Sequence, residues 1–125
     1  MAHIALIDDD PGVRSIMASI LTGVGHRISD WYGQPIADLV AADPPDLIIV
    51  DMVMPPPDGV EVLQTLQEAN CAASVLVISG GGGLNKSIYL QIAAGLGVAA
   101  TLAKPFSATD LLDAVGRLLA GRKAG

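Results

Sequence analysis

The chain has 125 residues, 51% of them hydrophobic and 16% charged, with a formal net charge of −6. That length suits one domain, residues 1–125, burying roughly two-thirds of the surface its unfolded chain exposes, and the composition excludes a disordered acidic tail. The lone Cys71 excludes a disulfide scaffold, and four aromatics (Trp31, Tyr32, Tyr89, Phe106) are too few for a base-stacking nucleic-acid platform.

The net charge also argues against direct nucleic-acid contact. No apolar run approaches the ~20 residues that span a bilayer, and the start, MAHIALIDDD, lacks the basic segment of an export signal. No membrane insertion and a reducing, cytoplasmic location are expected. Charge is uneven: residues 1–68 hold eleven acids against Arg14 and Arg27, whereas residues 69–125 hold Asp110 and Asp113 against five bases. This fits either a solvated surface or an acidic pocket answered by a cation from the second half.

Residues 3–7 (HIALI) are a short apolar run that predicts a buried strand. Asp10 and Pro11 follow as helix cap and first helical residue. Val13, Ile16, Met17, Ile20, Leu21 and Val24 form one apolar stripe, ending near Gly23 and Gly25. His26–Tyr32 reads as a second strand, and 36–42 as a short helix with Ile36, Leu39 and Val40 inward, broken by Pro44 and Pro45. Asp46–Asp51 is apolar without alternation, as in a strand buried on both faces.

After Pro55–Pro57, Asp58 to Glu61 has the spacing of a helix start, with Val62, Leu63 and Leu66 as its apolar face. Val75–Ile78 predicts a fourth strand, followed by Ser79 and Gly80–Gly83. Leu84, Ile88 and Ile92 mark a helix ending near Gly95, and Val98–Ala103 a fifth strand. Ser107 and Asp110 cap a last helix with the stripe Leu111, Leu112, Val115, Leu118 and Leu119, ended by Gly121. Five strands alternating with five helices predict a doubly wound parallel α/β sheet covered on both faces.

Such sheets bind ligands at the carboxyl ends of their strands. Those ends carry Asp8, Asp9 and Asp10 after strand 1, Asp51 after strand 3, Ser79 after strand 4 and Lys104 after strand 5. Clustered carboxylates repel unless a cation intervenes, and an all-oxygen set of this kind suits Mg²⁺. A carboxylate such as Asp51, held by a metal and a lysine, can attack phosphorus. Taken singly, Asp10 and Asp58 read as helix caps, Asp51 equally as a turn residue or a functional one, and Lys104 as a solvated lysine. Their joint placement carries the reading.

The segments IALIDDD, LIIVDMVMPPPDG, VLVISG and AKPF together resemble the receiver domain of bacterial two-component response regulators. The resemblance covers essentially the whole chain, and the run Asp51, Met54, Pro55, Asp58, Gly59 is its most specific part. It implies a flavodoxin-like sheet of order 2-1-3-4-5 and, with Mg²⁺ bound, acceptance of a phosphoryl group on Asp51 from a histidine kinase or phosphotransfer protein. Asp8, Asp9, Asp51 and the Val53 carbonyl would hold the metal. Lys104 and Ser79 would contact the phosphoryl group, Ser79 and Thr101 would be switch positions, and Lys104–Pro105 would be cis. Phosphorylation would bias a two-state surface built from the fourth helix, fifth strand and last helix.

Three departures from the family pattern stand out. Thr101 replaces the frequent aromatic switch residue. Val53 and Gly81 offer no side-chain hydrogen bond to an attacking water, so slow hydrolysis is expected. Gly80–Gly83 predicts a loop that is costly to order. No output domain is visible, so signalling would run through a downstream protein partner or through an output domain that has been cut away. Two rivals remain: a Mg²⁺-dependent phosphohydrolase using Asp8 as nucleophile and Asp10 as acid–base, and a binding module that has lost phosphorylation.

Overall fold

Five short strands lie side by side as β1 (His3–Ile7), β2 (Arg27–Asp30), β3 (Leu47–Asp51), β4 (Ser74–Ser79) and β5 (Ala100–Ala103). Their spatial order is β2-β1-β3-β4-β5, with every neighbouring pair parallel. The computed structural model describes residues 2–79, 91 and 95–124. Among these, the helices are α1 (Pro11–Gly23), α2 (Ile36–Ala42), α3 (Gly59–Glu68) and α4 (Ala108–Ala124). The helix expected over Leu84, Ile88 and Ile92, and the run Gly80–Gly83, lie outside the described residues.

The missing polar alternation in the central strands has a direct cause, because both faces of the sheet are covered. Successive side chains point to opposite faces. Ile4, Leu6, Leu47, Ile49, Leu76 and Ile78 pack with Met17 and Leu21 of α1 and with Leu111 and Val115 of α4. Ala5, Ile7, Ile48, Val50 and Val77 pack on the other face with Val40 of α2 and with Val62, Leu63 and Leu66 of α3. Trp31 joins that second layer.

Helix starts follow the expected chemistry. The Asp10 side chain accepts hydrogen bonds from the Gly12 and Val13 N–H groups ahead of Pro11. Asp58 and Glu61 form a reciprocal capping box on α3. Ser107 and Asp110 exchange the same pair of bonds at the start of α4.

Several edges differ from expectation: β3 begins at Leu47 rather than Asp46, and β4 runs from Ser74 to Ser79 rather than from Val75 to Ile78. On α1 Met17 and Leu21 are fully buried and Val13 and Ile20 pack beside them, whereas Ile16 sits on the outer shoulder and is 60% exposed. Val24 is the helix's C-cap and is half exposed. β2 stops at Asp30 because the Tyr32 N–H turns back to Asp30 Oδ1 (3.1 Å). β5 begins at Ala100, after the chain has turned through Gly97 with φ +82°. Gly121 does not end the last helix, which runs to Ala124; one glycine costs only about 1 kcal/mol against alanine.

Gly59 is where the fold requires glycine. A Cβ there would stand 2.5 Å from Met52 Cα and 2.7 Å from the Asp51 carbonyl oxygen. The Gly59 N–H donates to the Met52 carbonyl at 3.1 Å, seating the chain after Asp51 on the start of α3. Gly116, exposed in the middle of α4, has nothing within 4 Å of such a Cβ. In urea denaturation, Gly59→Ala is expected to destabilise the protein by about 1–3 kcal/mol through forced backbone movement. Gly116→Ala should stabilise it by roughly 0.5–1 kcal/mol. Equal midpoints for the two variants would show that the close approach at Gly59 is unimportant.

Candidate functional site

The register brings the acids together. Ile7 pairs with Val50, so Asp8 and Asp51 emerge next to each other from adjacent strand ends. Ser79 ends β4 and pairs with Ala103, and Lys104 follows β5. Lys104 is anchored by its own N–H, which donates to the Ser79 carbonyl at 2.9 Å. From there the side chain crosses the end of β4. Two strand spacings of ~4.8 Å separate β5 from β3, and the four-carbon lysine stem spans that gap.

Its ammonium ends between two buried carboxylates. Lys104 Nζ donates to Asp51 Oδ2 at 3.0 Å and stands 3.2 Å from Asp8 Oδ2. The second contact is ionic but poorly aligned, so buried Asp8 Oδ2 accepts no hydrogen bond. Asp8 Oδ1 takes the Asp10 N–H at 2.9 Å, and Asp51 Oδ1 takes the Val53 N–H at 3.1 Å. Asp8 is fully buried and Asp51 is 3% exposed.

Burial pushes the Asp8 carboxyl above its ordinary value, and the charge of Asp51 adds to this; the Asp10 N–H and Lys104 only partly oppose it. For Lys104, burial pulls downward, but the hydrogen bond and charge of Asp51, then Asp8, hold the ammonium above its ordinary value. One lysine thus faces two buried acids with a third, Asp9, beside them. Asp8, Asp9 and Asp51 each offer a carboxylate oxygen within 4.8 Å of the others. An all-oxygen set with an unsatisfied buried oxygen fits a hard divalent cation such as Mg²⁺.

The remaining expected residues fall around this cluster. Ser79 is buried at the end of β4. Val53 lies just past Asp51 and is 57% exposed. The Lys104–Pro105 peptide is cis, as is Pro56–Pro57. Thr101 is exposed on β5 opposite Val77, away from the acids. It lines a cavity of about 390 Å³ with Asp113 and Arg117 of α4. Asp10 and Asp58 are engaged as helix caps, and Gly81 lies outside the described residues.

Sequence reasoning passed over Arg14. Its Nη1 donates to the Asp8 carbonyl oxygen, its Nε to Asp30 Oδ2 at 3.1 Å, and its guanidinium lies 5.1 Å from the Tyr32 ring centroid. The available signal was that Arg14 is one of only two bases in the acidic half. Among the described residues, no helix is long and apolar enough to cross a membrane.

Known proteins resemble this chain in sequence and in fold. Sporulation initiation phosphotransferase F of Bacillus subtilis is 28% identical over 117 residues, covering 93% of this chain and 92% of that protein. Response regulator MprA of Mycolicibacterium vanbaalenii is 31% identical over 120 residues, which are 94% of this chain but 50% of that protein, so this chain spans half of its length. In fold, the chain resembles a CheY-like receiver domain protein of Methanospirillum hungatei, with TM-score 0.83, 21% identity, and coverage of 100% of this chain and 99% of the other. The family model for the response regulator receiver domain matches residues 4–116. With its doubly wound sheet and its acids and lysine gathered at one edge, the chain belongs to the response regulator receiver domain family.

Proposed function

We propose that Asp51 is the phosphoacceptor and that residues 1–125 work as one receiver domain in the cytoplasm. The carrying observation is the placement of Lys104 Nζ, 3.0 Å from Asp51 Oδ2 and 3.2 Å from Asp8 Oδ2, beside three converging carboxylates. An Asp51 carboxylate oxygen attacks the phosphorus of a phosphohistidine on a histidine kinase or phosphotransfer protein. The P–N bond breaks, its electron pair stays on the imidazole nitrogen, and an acyl phosphate forms on Asp51.

Asp8, Asp9, Asp51 and the Val53 carbonyl would hold Mg²⁺, whose charge offsets that of the phosphoryl oxygens. Lys104 supplies a second, fixed positive charge on the same side. The Ser79 hydroxyl, one strand over, donates to a phosphoryl oxygen once that group is in place. Lys104 and Ser79 are both bonded into the end of β4, so new charge at Asp51 would be felt along β5, where Thr101 lies. The output is a changed partner-binding surface, read by a downstream protein or a linked output domain.

The phosphohydrolase reading is disfavoured by the same contacts. That reading needs Asp10 as a free acid–base group, and the Asp10 side chain is committed to the Gly12 and Val13 N–H groups.

Acetyl phosphate with Mg²⁺ should add one phosphoryl group, detected by intact-mass spectrometry. Asp51→Asn or removal of the metal with EDTA should abolish the adduct. Persistent labelling of Asp51→Asn would overturn the assignment.

Charge crowding gives a second expectation. Asp8→Asn removes one of the buried carboxylates, so in EDTA at neutral pH it should melt higher than the parent chain. Added Mg²⁺ should raise the parent's melting temperature by linkage and leave Asp8→Asn nearly unmoved. Equal metal responses would remove Asp8 from the ligand set.

Hydrolysis should be slow, because exposed Val53 offers a water no side-chain hydrogen bond. Val53→Asn should shorten the adduct's lifetime in a mass-spectrometric time course. An unchanged lifetime would mean that Val53 does not limit water attack.

A further inference from the structure

Two observations about the β1–α1 turn call for a common cause. Asp9 has to hold its carboxylate beside two others while sitting in a turn after the strand has ended. The Asp8 side chain is already fixed, with Oδ1 on the Asp10 N–H and Oδ2 beside Lys104. The Asp8 main chain is fixed separately, by Arg14. From the first turn of α1, the guanidinium donates through Nη1 to the Asp8 carbonyl oxygen and through Nε to Asp30 Oδ2.

The far side of this clamp is itself braced. Asp30 Oδ1 accepts the Tyr32 N–H at 3.1 Å, leaving Oδ2 for Arg14. The Tyr32 ring packs against the guanidinium, 5.1 Å from its carbon. Only about a fifth of the Arg14 side chain is exposed. The planar fork therefore joins α1, the end of β2 and the peptide that joins Asp8 to Asp9, a geometry that lysine's single ammonium does not reproduce.

We infer that Arg14 is a positioning residue for the divalent cation: by holding the Asp8 carbonyl against Asp30 and Tyr32, it sets the turn that aims Asp8 and Asp9 at the metal. This rests on the reading of Asp8, Asp9 and Asp51 as a Mg²⁺ site. It makes a prediction whose sign opposes simple electrostatics. Arg14 carries a positive charge next to an acidic cluster, so deleting that charge should by Coulomb's law tighten cation binding. Loss of a positioning contact should weaken it, typically by 10–100-fold for residues that orient metal ligands.

Isothermal titration calorimetry with MgCl₂ on the full chain separates the two. Arg14→Gln is expected to bind Mg²⁺ at least about tenfold more weakly than the parent. Arg14→Lys, which keeps the charge but not the fork, should also be weaker. Tyr32→Leu, which changes no charge, should be weaker by a smaller factor. Melting in EDTA checks that each variant is folded. Equal or tighter binding by folded Arg14→Gln overturns the inference while leaving the metal site intact. No Mg²⁺ binding by the parent chain overturns both. Should Arg14→Gln fail to fold, unchanged affinity in both Arg14→Lys and Tyr32→Leu overturns it.

Discussion

A single ammonium group between two buried carboxylates organises this protein. Lys104 Nζ lies within 3.2 Å of both Asp8 and Asp51, and neither acid can be relieved by solvent. Burial and the neighbouring Asp51 charge raise the proton affinity of Asp8, and one lysine does not cancel three acids. The cluster of Asp8, Asp9 and Asp51 thus suits a divalent cation. The lysine comes from the far side of β4, so the same contact that steadies the acids also ties β5 to β1 and β3. The contact thus links Asp51 to the strand that bears Thr101.

That arrangement depends on features away from the acids. The ladder sets Ile7 opposite Val50, and a slip of one residue would send each side chain to the other face of the sheet. Core packing against α1 and α4 on one face, and against α2 and α3 on the other, prevents such a slip. The chain beyond Asp51 is held down by the approach of Gly59 to Met52 and by the capping box of Asp58 and Glu61. The chain beyond Asp8 is held by the Asp10 cap and by Arg14. Rigid strand ends with short, bonded turns are how a sheet edge keeps several polar groups convergent.

Membership of the receiver family agrees with this picture at two levels. The match to Sporulation initiation phosphotransferase F spans nearly all of both chains. The match to MprA spans half of that protein. The stretch matched by this chain thus makes up nearly all of one relative and half of another.

Much of the outcome was legible in the residue order, for local reasons. Apolar runs ending in acids marked β1 and β3, Asp10–Pro11 and Asp58–Glu61 marked helix starts, and parallel topology put all strand ends at one edge. Periodicity could not tell which apolar helix residues the sheet would cover, so Ile16 looked buried and is exposed. It also could not register that a helix already packed along its length continues through Gly121. Sequence by itself determined the identities of the groups at the site, because strand ends and caps are read from neighbouring residues. Tertiary structure alone decided that Lys104 reaches across β4 to two acids and that Arg14 grips the Asp8 carbonyl. Strand order and register bring Lys104 to the acids, and Arg14 is braced by Asp30 and Tyr32 from the β2 end; no local pattern encodes either.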